Sequence, residues 1–416
     1  MGKYLFFLFV LALCLSCTKT TVPADSTSSS GIKYYGTESG LQPNAMIKTA
    51  DGGYLFCGQA IHDGSQKFAA FLLKTNSKGE LQWQKFYGGI TVDNFLGVCQ
   101  ASDGGYVAAG YTTSYGLGAT RKDYYSDAWI VKTDANGNQL WMKHFGNIYN
   151  DAFYDIKEMP DKGFIAVGFC IDTNYKYNAN YIQSCLALKT DRNGSPVWIH
   201  EYFKDRYIGS FYSISLAQNG DMAMGGNVAE SDSVLTIGIN YPCLLNLSAD
   251  GSTTKASKVY PQFGNTSSEK ILAEPDGFAF GFNSTKNNAN SMYFLKTGLD
   301  GSINWQKPFN GILSLSTIAD AANGGYMVAA TNNGGIKSSQ LLHIDATGNL
   351  LSTINCDNVN LETSVVKPAK INTIGAIPVN NGWALGVSVT PTFLSGNSNF
   401  AIIFTDSNGK IMDNGK

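Results

Sequence analysis

Short apolar runs alternate with short polar turns along most of the chain, and the turns fall into two recurring kinds. The first kind is an Asp or Asn followed by Gly and an aromatic residue. Its copies begin at Asp51, Asp103, Asp161, Asp276, Asn323 and Asn381, and a weaker copy begins at Asn219. Gly and Asn tolerate the positive φ of tight hairpin turns, so each copy predicts a β-hairpin between two apolar strands.

The second kind of turn lies within a strand–turn–strand unit whose clearest copy is WIVKTDANGNQLWMKHFG, from Trp129 to Gly146. Each copy is marked by a turn glycine: Gly79, Gly137, Gly194, Gly251, Gly301, Gly348 and Gly409. In four copies a tryptophan follows four residues after the glycine, at Trp83, Trp141, Trp198 and Trp305. The two kinds of turn alternate along the chain, so each repeat predicts four strands in two hairpins.

Seven such repeats predict a closed ring, because a unit of this size cannot bury both faces of its sheet alone. The last repeat lacks its fourth strand, and a matching segment, Lys33-Tyr34-Tyr35-Gly36, lies near the start of the chain. The N-terminal strand can therefore complete the last blade and protect its edge. The sequence predicts an all-β fold: a single seven-bladed β-propeller of four-stranded antiparallel blades over residues 31–416, closed by the N-terminal strand.

The first 30 residues predict an export signal followed by a flexible tether. Lys3 precedes an apolar run from Leu5 to Leu15, which is too short to span a bilayer and typical of a signal peptide. The segment Leu13–Cys17 resembles the lipobox of bacterial lipoproteins, which implies cleavage after residue 16 and lipidation of Cys17. Residues 17–30 are polar and predict a flexible tether. The alternative is an ordinary signal peptide that contains cysteine.

Composition narrows the function classes. Charged residues make up 15% of the chain, against about 25% in an average protein, and the net charge is −2. This balance argues against nucleic-acid binding, and it leaves a lipid on Cys17 as the expected contact with the membrane. The other cysteines lie in apolar runs without a CxxC motif and are predicted to be small core residues: Cys57, Cys99, Cys170, Cys185, Cys243 and Cys356.

The two motifs together resemble the propeller repeats of exported proteins and lipoproteins of Bacteroidetes-type bacteria, over nearly all of residues 31–416. The resemblance implies an exported protein anchored in the outer membrane, on its cell-surface or periplasmic side. The run from Asp134 to Trp141 is also similar to the tryptophan motif of eight-bladed quinoprotein propellers and to the Asp-box of sialidases. These motifs specify a fold and leave the activity open.

The repeated polar residues have structural and functional interpretations. The aspartates three residues before the turn glycine could bind calcium, but Asp side chains more often cap their own turns: Asp134, Asp191, Asp345 and Asp406. The repeated lysines alternate with apolar residues and are expected on a polar face: Lys74, Lys132, Lys189 and Lys296. The repeated tryptophans are expected to pack between blades.

No catalytic motif is present, and no metal or other cofactor is expected. Both kinds of turn should lie on one face of the disc, so the long connections from blades two and three should meet on the other face, where scaffolds place recognition. These loops concentrate Tyr115, Arg121, Lys122, Tyr124, Tyr125, Tyr175, Tyr177, Tyr181, Arg206 and Tyr207. Tyrosine suits binding surfaces, although these side chains can also pack on their own loops.

Two functions follow from this reading. The first is a non-catalytic, monomeric cell-envelope lipoprotein that binds a protein or a glycan through its loop-rich face. The alternative is a carbohydrate-active enzyme, a glycoside hydrolase or lyase, that uses acids gathered at the central channel.

Overall fold

A computed structural model describes residues 31–35, 40–61, 67–117, 125–174, 179–203, 207–230, 239–286, 289–321, 324–332, 339–355, 368–379, 382–391, 399–407 and 410–412. These residues form 28 strands in seven four-stranded antiparallel sheets. Within each blade the chain runs from an inner strand, a, through b and c to an outer strand, d. Among the described residues, no helix is both long and apolar enough to cross a membrane.

The first three blades are complete along the chain. Blade 1 contains β2 (Leu41–Lys48), β3 (Tyr54–Ile61), β4 (Phe68–Thr75) and β5 (Leu81–Tyr87). Blade 2 contains β6 (Asp93–Gln100), β7 (Tyr106–Thr112), β8 (Asp127–Thr133) and β9 (Gln139–Phe145). Blade 3 contains β10 (Asp151–Glu158), β11 (Phe164–Asn174), β12 (Ala179–Thr190) and β13 (Pro196–Tyr202).

The next three blades repeat this order. Blade 4 contains β14 (Tyr207–Leu216), β15 (Met222–Glu230), β16 (Asn240–Leu247) and β17 (Thr254–Val259). A short 3₁₀ helix, Pro261–Phe263, leads into blade 5, with β18 (Asn265–Glu274), β19 (Gly277–Lys286), β20 (Ala289–Thr297) and β21 (Ile303–Asn310). Blade 6 contains β22 (Ile312–Asp320), β23 (Tyr326–Asn332), β24 (Ser339–Ile344) and β25 (Leu350–Asn355).

Blade 7 joins the two ends of the chain. It contains β26 (Pro368–Val379), β27 (Gly382–Pro391) and β28 (Asn399–Asp406), and β1 (Ile32–Tyr35) forms its outer strand. In the antiparallel pair of β1 and β28, Ile32 lies opposite Ile403. The inner strands of successive blades contact one another, and β2 contacts β26, which closes the ring. The predicted seven-bladed propeller and its closure by the N-terminal strand are confirmed.

Every inner strand carries a bulge near its middle, where its pairing with strand b shifts by at least one residue. The shifts fall at Pro43/Ala45, Phe95/Gly97, Phe153/Asp155, Phe211/Ser213, Ser267/Lys270, Leu315/Thr317 and Thr373/Gly375. A bulge bends its strand and increases the local twist. The repetition of this bulge therefore shapes the seven strands that surround the central channel.

The repeated tryptophans pack between blades, as expected. The Trp83 ring covers Gly137 in the next blade so closely that a Cβ at Gly137 would lie 2.8 Å from it. Gly137 has a φ of 74°, so a side chain there would also strain the backbone. Trp141, Trp198 and Trp305 cover the turn glycines of the blades that follow them in the same way. In these four repeats the fixed spacing of glycine and tryptophan thus produces a contact with the next repeat.

Some outer strands add a tyrosine hydrogen bond across the same junction. The Tyr87 hydroxyl donates to the carbonyl oxygen of Gly137 over 2.7 Å, and the Tyr260 hydroxyl donates to that of Gly301 over 2.8 Å. The Tyr35 hydroxyl makes the equivalent bond to Gly79. These three buried tyrosines account for part of the tyrosine content of the chain, because their hydroxyl groups join blades 7, 1 and 4 to the blades that follow them.

The prediction that the repeated lysines lie on a polar face is wrong. The four lysine residues are buried, with Lys74 2% and Lys132 3% exposed. Each lysine side chain reaches the acidic residue of the first hairpin turn in its own blade: the ammonium of Lys74 lies 2.8 Å from Asp51, and that of Lys132 lies 2.9 Å from Asp103. Lys189 pairs with Asp161, and Lys296 with Asp276, in the same way. The alternation of lysine with apolar residues predicted exposure, but the long aliphatic part of a lysine side chain can be buried while its ammonium group pairs with a carboxylate.

The aspartates of the second kind of turn cap that turn. The Asp134 carboxylate accepts hydrogen bonds from the backbone N–H groups of Asn136 and Asn138, over 2.9 and 2.8 Å. Asp191 and Asp345 repeat the pattern, and Asn76 does so in blade 1. Among the described residues, no group of three or more His, Cys, Asp or Glu side chains could hold a metal ion.

The cysteines within the described ranges are buried free thiols, as predicted: Cys57, Cys99, Cys170, Cys185 and Cys243. Burial raises the pKa of Cys99 to about 12 and holds that of Cys243 well above its usual range. Cys356 lies outside the described residues.

Candidate functional site

The two faces of the ring differ in what lies at the strand ends. Turns between strands a and b, and between c and d, lie at one end of each blade, which we name the turn face. Connections between strands b and c, and between successive blades, lie at the other end, the loop face. This arrangement follows directly from the antiparallel order of each sheet.

Three exposed apolar side chains lie in the loop-face connections that begin or end in blade 2. Ile90 is 79% exposed, Leu117 56% and Ile148 42%. Tyr115, Tyr125 and Tyr149 belong to the same connections and are half-buried. We name these six residues the loop-face patch.

The tyrosines of the patch have defined partners. The Tyr125 and Tyr149 rings meet edge to face, with their centroids 6.0 Å apart. The Tyr115 hydroxyl donates to the carbonyl oxygen of Gly88 over 2.9 Å. Burial, with the nearby charge of Asp93, raises the pKa of Tyr115. These contacts hold the rings in place while the aliphatic side chains beside them remain open to solvent.

Buried carboxylates hold the connections that carry the patch. Asp93 accepts hydrogen bonds from the Gly89 N–H over 2.8 Å and from the Ser114 hydroxyl over 2.7 Å, so it joins two separate connections. Asp127 accepts from the N–H of Leu117 over 2.9 Å. Because these carboxylates bond to backbone groups, they fix the path of the chain through the patch.

Asp151 plays the same part in the connection between blades 2 and 3. Its carboxylate accepts hydrogen bonds from the Asn147 N–H over 2.9 Å and the Ile171 N–H over 3.2 Å. Burial, with the like charges of Asp127 and Asp172, raises the pKa of Asp151 to about 7. This carboxyl group therefore titrates near neutral pH, but the residue is fully buried and cannot touch a substrate.

The structure describes only part of the predicted binding surface. Tyr115 and Tyr125 lie in the loop-face patch. Tyr181 lies in β12 and Tyr207 begins β14, but their side chains fall outside the described parts of the chain. The remaining predicted residues lie wholly outside them: Arg121, Lys122, Tyr124, Tyr175, Tyr177 and Arg206. Their role in binding stays a prediction.

Sequence reasoning missed the aliphatic residues of the patch and Tyr149. A signal for them was present, because Ile90, Leu117 and Ile148 are isolated apolar residues inside otherwise polar connections. The predicted binding surface consisted of tyrosine, arginine and lysine residues alone. Which aliphatic residues of a loop are exposed depends on the path of that loop, and only the fold shows this path.

The described acids of the inner strands bear on the enzymatic alternative. Asp155 is held by Lys157, over 2.6 Å, and by the Ile214 N–H, over 3.0 Å. Glu158 accepts two hydrogen bonds from Ser102. Each of these acids is thus engaged with its own or a neighbouring blade.

Two further acids lie at the turn-face ends of the inner strands of blades 5 and 6. Glu274 pairs with Lys296 and accepts a hydrogen bond from the Tyr326 hydroxyl over 2.9 Å. Burial, together with Glu274, raises the pKa of Asp320. Catalysis by channel acids stays a prediction.

No protein-family model and no curated relative matches the chain. Among solved structures, a puromycin hydrolase in complex with PGG is similar over 93% of this chain and 55% of that one, with a TM-score of 0.50 and 10% identity. Sqt1 from Chaetomium thermophilum covers 91% of this chain and 100% of its own, with a TM-score of 0.44 and 9% identity. A protein of unknown function from Bacteroides caccae covers 59% of this chain and 92% of its own, with a TM-score of 0.28 and 10% identity. At these identities the likeness to the puromycin hydrolase shows the fold alone.

Proposed function

We propose that this chain is an exported, monomeric lipoprotein of the cell envelope that binds a partner without catalysis through the loop-face patch. The observation that carries the proposal is the exposure of Ile90, Leu117 and Ile148 in loop-face connections of blade 2 that also hold three half-buried tyrosines. Grouped apolar side chains on a surface mark interaction sites more often than single ones do. The loop-face carboxylates of Asp93, Asp127 and Asp151 accept hydrogen bonds from the backbone of these connections, which favours a rigid binding surface over a reacting one.

The chemistry of the patch favours a protein partner over a glycan. Burial of aliphatic side chains against an apolar partner is favourable, because it removes apolar surface from water. Fixed aromatic rings lose little entropy on binding and are enriched in protein interfaces. A glycan would use the tyrosines and leave the aliphatic side chains without a matching surface, so it ranks second.

The binding test compares two sets of serine substitutions. We expect the triple variant I90S/L117S/I148S to lose capture of its envelope partner, with an unchanged melting temperature because these side chains are exposed. The matched control is L140S/V197S/L351S, which removes equally exposed aliphatic residues from outer strands. Capture by crosslinking in envelope preparations should survive in the control. Equal capture by both variants would refute the patch.

The anchor rests on the resemblance of residues 13–17 to a lipobox, and it is proposed together with membership of the Bacteroidetes-type repeat family. We expect Cys17→Ser to abolish incorporation of labelled fatty acid and to move the protein from the membrane fraction to the aqueous phase. Cys14→Ser is the matched control, because it removes a neighbouring thiol and leaves the lipidation site intact. Labelling that persists in the Cys17 variant would contradict the assignment.

A further inference from the structure

Four blades share a set of three residues on the turn face. In blade 1, Lys74 lies directly opposite Trp83 in the pairing of strands c and d, and its ammonium pairs with Asp51. The pairs Lys132–Trp141, Lys189–Trp198 and Lys296–Trp305 occupy the same register. A blade that carries the lysine therefore also carries the tryptophan and the aspartate.

Blade 4 lacks all three members of the set. Asn246 stands in the lysine position opposite Ala256 in the tryptophan position, and Asn219 replaces the aspartate. Two large side chains are thus replaced by small ones at the junction of blades 4 and 5. In blade 7 the lysine position holds Phe404, whose ring lies 5.9 Å from that of Tyr54 in the next blade. No such ring fills the space in blade 4 among the described residues.

A cleft of about 530 Å³ opens at this junction on the turn face. Asn246 lines it together with Phe278, the aromatic residue at the second position of strand b of blade 5. At other junctions the corresponding ring packs against the preceding tryptophan, as Tyr106 does with Trp83, 5.9 Å between centroids. Within the described chain, Phe278 has no such aromatic neighbour.

The polar lining of the cleft favours a ligand that donates hydrogen bonds. Asn246 is 2% exposed, and its Oδ1 accepts no hydrogen bond within the described structure. A buried acceptor without a donor is costly, so a ligand donor there is favourable. Asp221, Glu274 and Asp300 line the cleft. Asp221 pairs with Lys255 and Glu274 with Lys296, so among the described residues Asp300 is the lining carboxylate without an ion pair, and one negative charge of the three is left unbalanced.

We infer that this cleft binds a guanidinium group on an apolar stem, such as an arginine side chain. A guanidinium is flat, packs against aromatic and aliphatic surfaces, and carries five donors and no acceptor. A single guanidinium group therefore combines the flat surface of the missing tryptophan with the positive charge of the missing lysine of blade 4. The site lies on the face opposite the loop-face patch and stands independently of the function proposed for that patch.

The first test measures binding of N-acetyl-arginine methylamide to the purified chain by calorimetry at low ionic strength. We expect it to bind about tenfold more tightly than the citrulline analogue, which is neutral and nearly the same shape. The lysine analogue, a cation without the flat group, should bind between the two. Equal affinity for arginine and citrulline analogues would overturn the inference. If the tripeptide Ala-Arg-Ala binds more tightly than the capped residue, the natural source is a peptide segment; equal binding indicates a free guanidinium compound.

The second test changes the cleft. The variant N246K/A256W restores the lysine and tryptophan of the other repeats and fills the space, so binding of the arginine probe should fall about tenfold or more. Asp300→Asn removes one lining charge at an exposed turn and should weaken binding by a smaller factor, even if the double variant fails to fold. Asp250→Asn is its matched control, since Asp250 holds the same position in the turn of blade 4 and lies outside the lining. An unchanged affinity in Asp300→Asn, or an equal loss in both single variants, would refute the site.

Discussion

The junction between blades 1 and 2 and the junction between blades 4 and 5 are built from the same repeat. They differ at all three positions of the lysine, tryptophan and aspartate set. The first has Trp83 against the next blade, with Lys74 buried behind it and paired with Asp51. The second has Ala256, Asn246 and Asn219 in these positions, and a cleft. Both retain the backbone pairing and a tyrosine bond to the next turn glycine. Backbone pairing is therefore retained when all three side chains are replaced, and the junction that lacks them contains the cleft at Asn246.

The largest expected effect comes from emptying a filled junction. Trp83→Ala should lower the free energy of unfolding by about 3 kcal/mol, since it leaves a cavity over Gly137. Denaturant unfolding followed by fluorescence measures this change. Leu351→Ala, on an exposed outer strand, should have little effect. A loss below about 1 kcal/mol for Trp83→Ala would show that the tryptophans do not hold neighbouring blades together.

The next effect concerns the buried lysines. Asp103→Asn should cost about 2 kcal/mol, because it leaves the Lys132 ammonium buried without its carboxylate. The control is Asp134→Asn, which keeps the turn cap, as Asn76 does in blade 1. Chemical denaturation of both variants measures the difference. An equal cost for the two substitutions would contradict a special role for the ion pair.

The equivalent lysine–aspartate pair of blade 1, Lys74 and Asp51, predicts sensitivity to acid. Burial opposes ionisation of Asp51, but hydrogen bonds from Lys74 and Thr49 lower its pKa to about 2. A carboxyl group whose pKa is lower in the folded state stabilises the fold above its unfolded pKa, about 4, and loses this contribution as the pH falls toward 2. Asp51→Asn should therefore flatten the fall in melting temperature between these pH values. An unchanged profile would contradict the shift.

The buried carboxyl group of Asp151 should have the opposite effect, because its contribution to stability falls as the pH rises. The pKa of Asp151 is raised to about 7 by burial and by neighbouring acids. A folded state that holds this proton is most stable at low pH, and the contribution is lost as the pH rises from about 4 to 7. Asp151→Asn should remove this pH-dependent destabilisation across the window, so the variant should gain stability relative to the wild type as the pH rises from about 4 to 7. Melting temperatures of the variant that track the wild type at every pH would refute this.

The smallest effect tests the tyrosine bond that both junctions keep. Tyr87→Phe should lower the free energy of unfolding by about 1 kcal/mol, the usual cost of one hydrogen bond. Blade 2 carries Phe145 in the equivalent position, so Phe145→Tyr is the reciprocal change and should stabilise the protein by a similar or smaller amount. Equilibrium unfolding in urea resolves both changes. An unchanged free energy of unfolding for Tyr87→Phe would mean that the packing of the ring stabilises the junction and the hydroxyl group does not.

The sequence determined the fold almost completely, because the fold repeats. Turn glycines recur at positions where only a positive φ fits, and the missing outer strand of the last repeat matches Lys33-Tyr34-Tyr35. Short-range patterns of this kind depend on turn chemistry and strand alternation, which are local. The candidate site was predicted less completely, because tyrosine content identified Tyr115 and Tyr125 but not Ile90 or Ile148.

Only the tertiary structure decided which side chains meet across the junctions. The burial of Lys74 contradicts simple alternation, because its partner Asp51 lies in another turn and becomes a neighbour only when strands b and c pair. The cleft at Asn246 likewise depends on two absences, in strands c and d, that act together only in register. Local pattern sets the strands and turns, since backbone preferences are local. Burial, pairing and open space depend on residues far apart in the chain, so these properties exist only once the ring has closed.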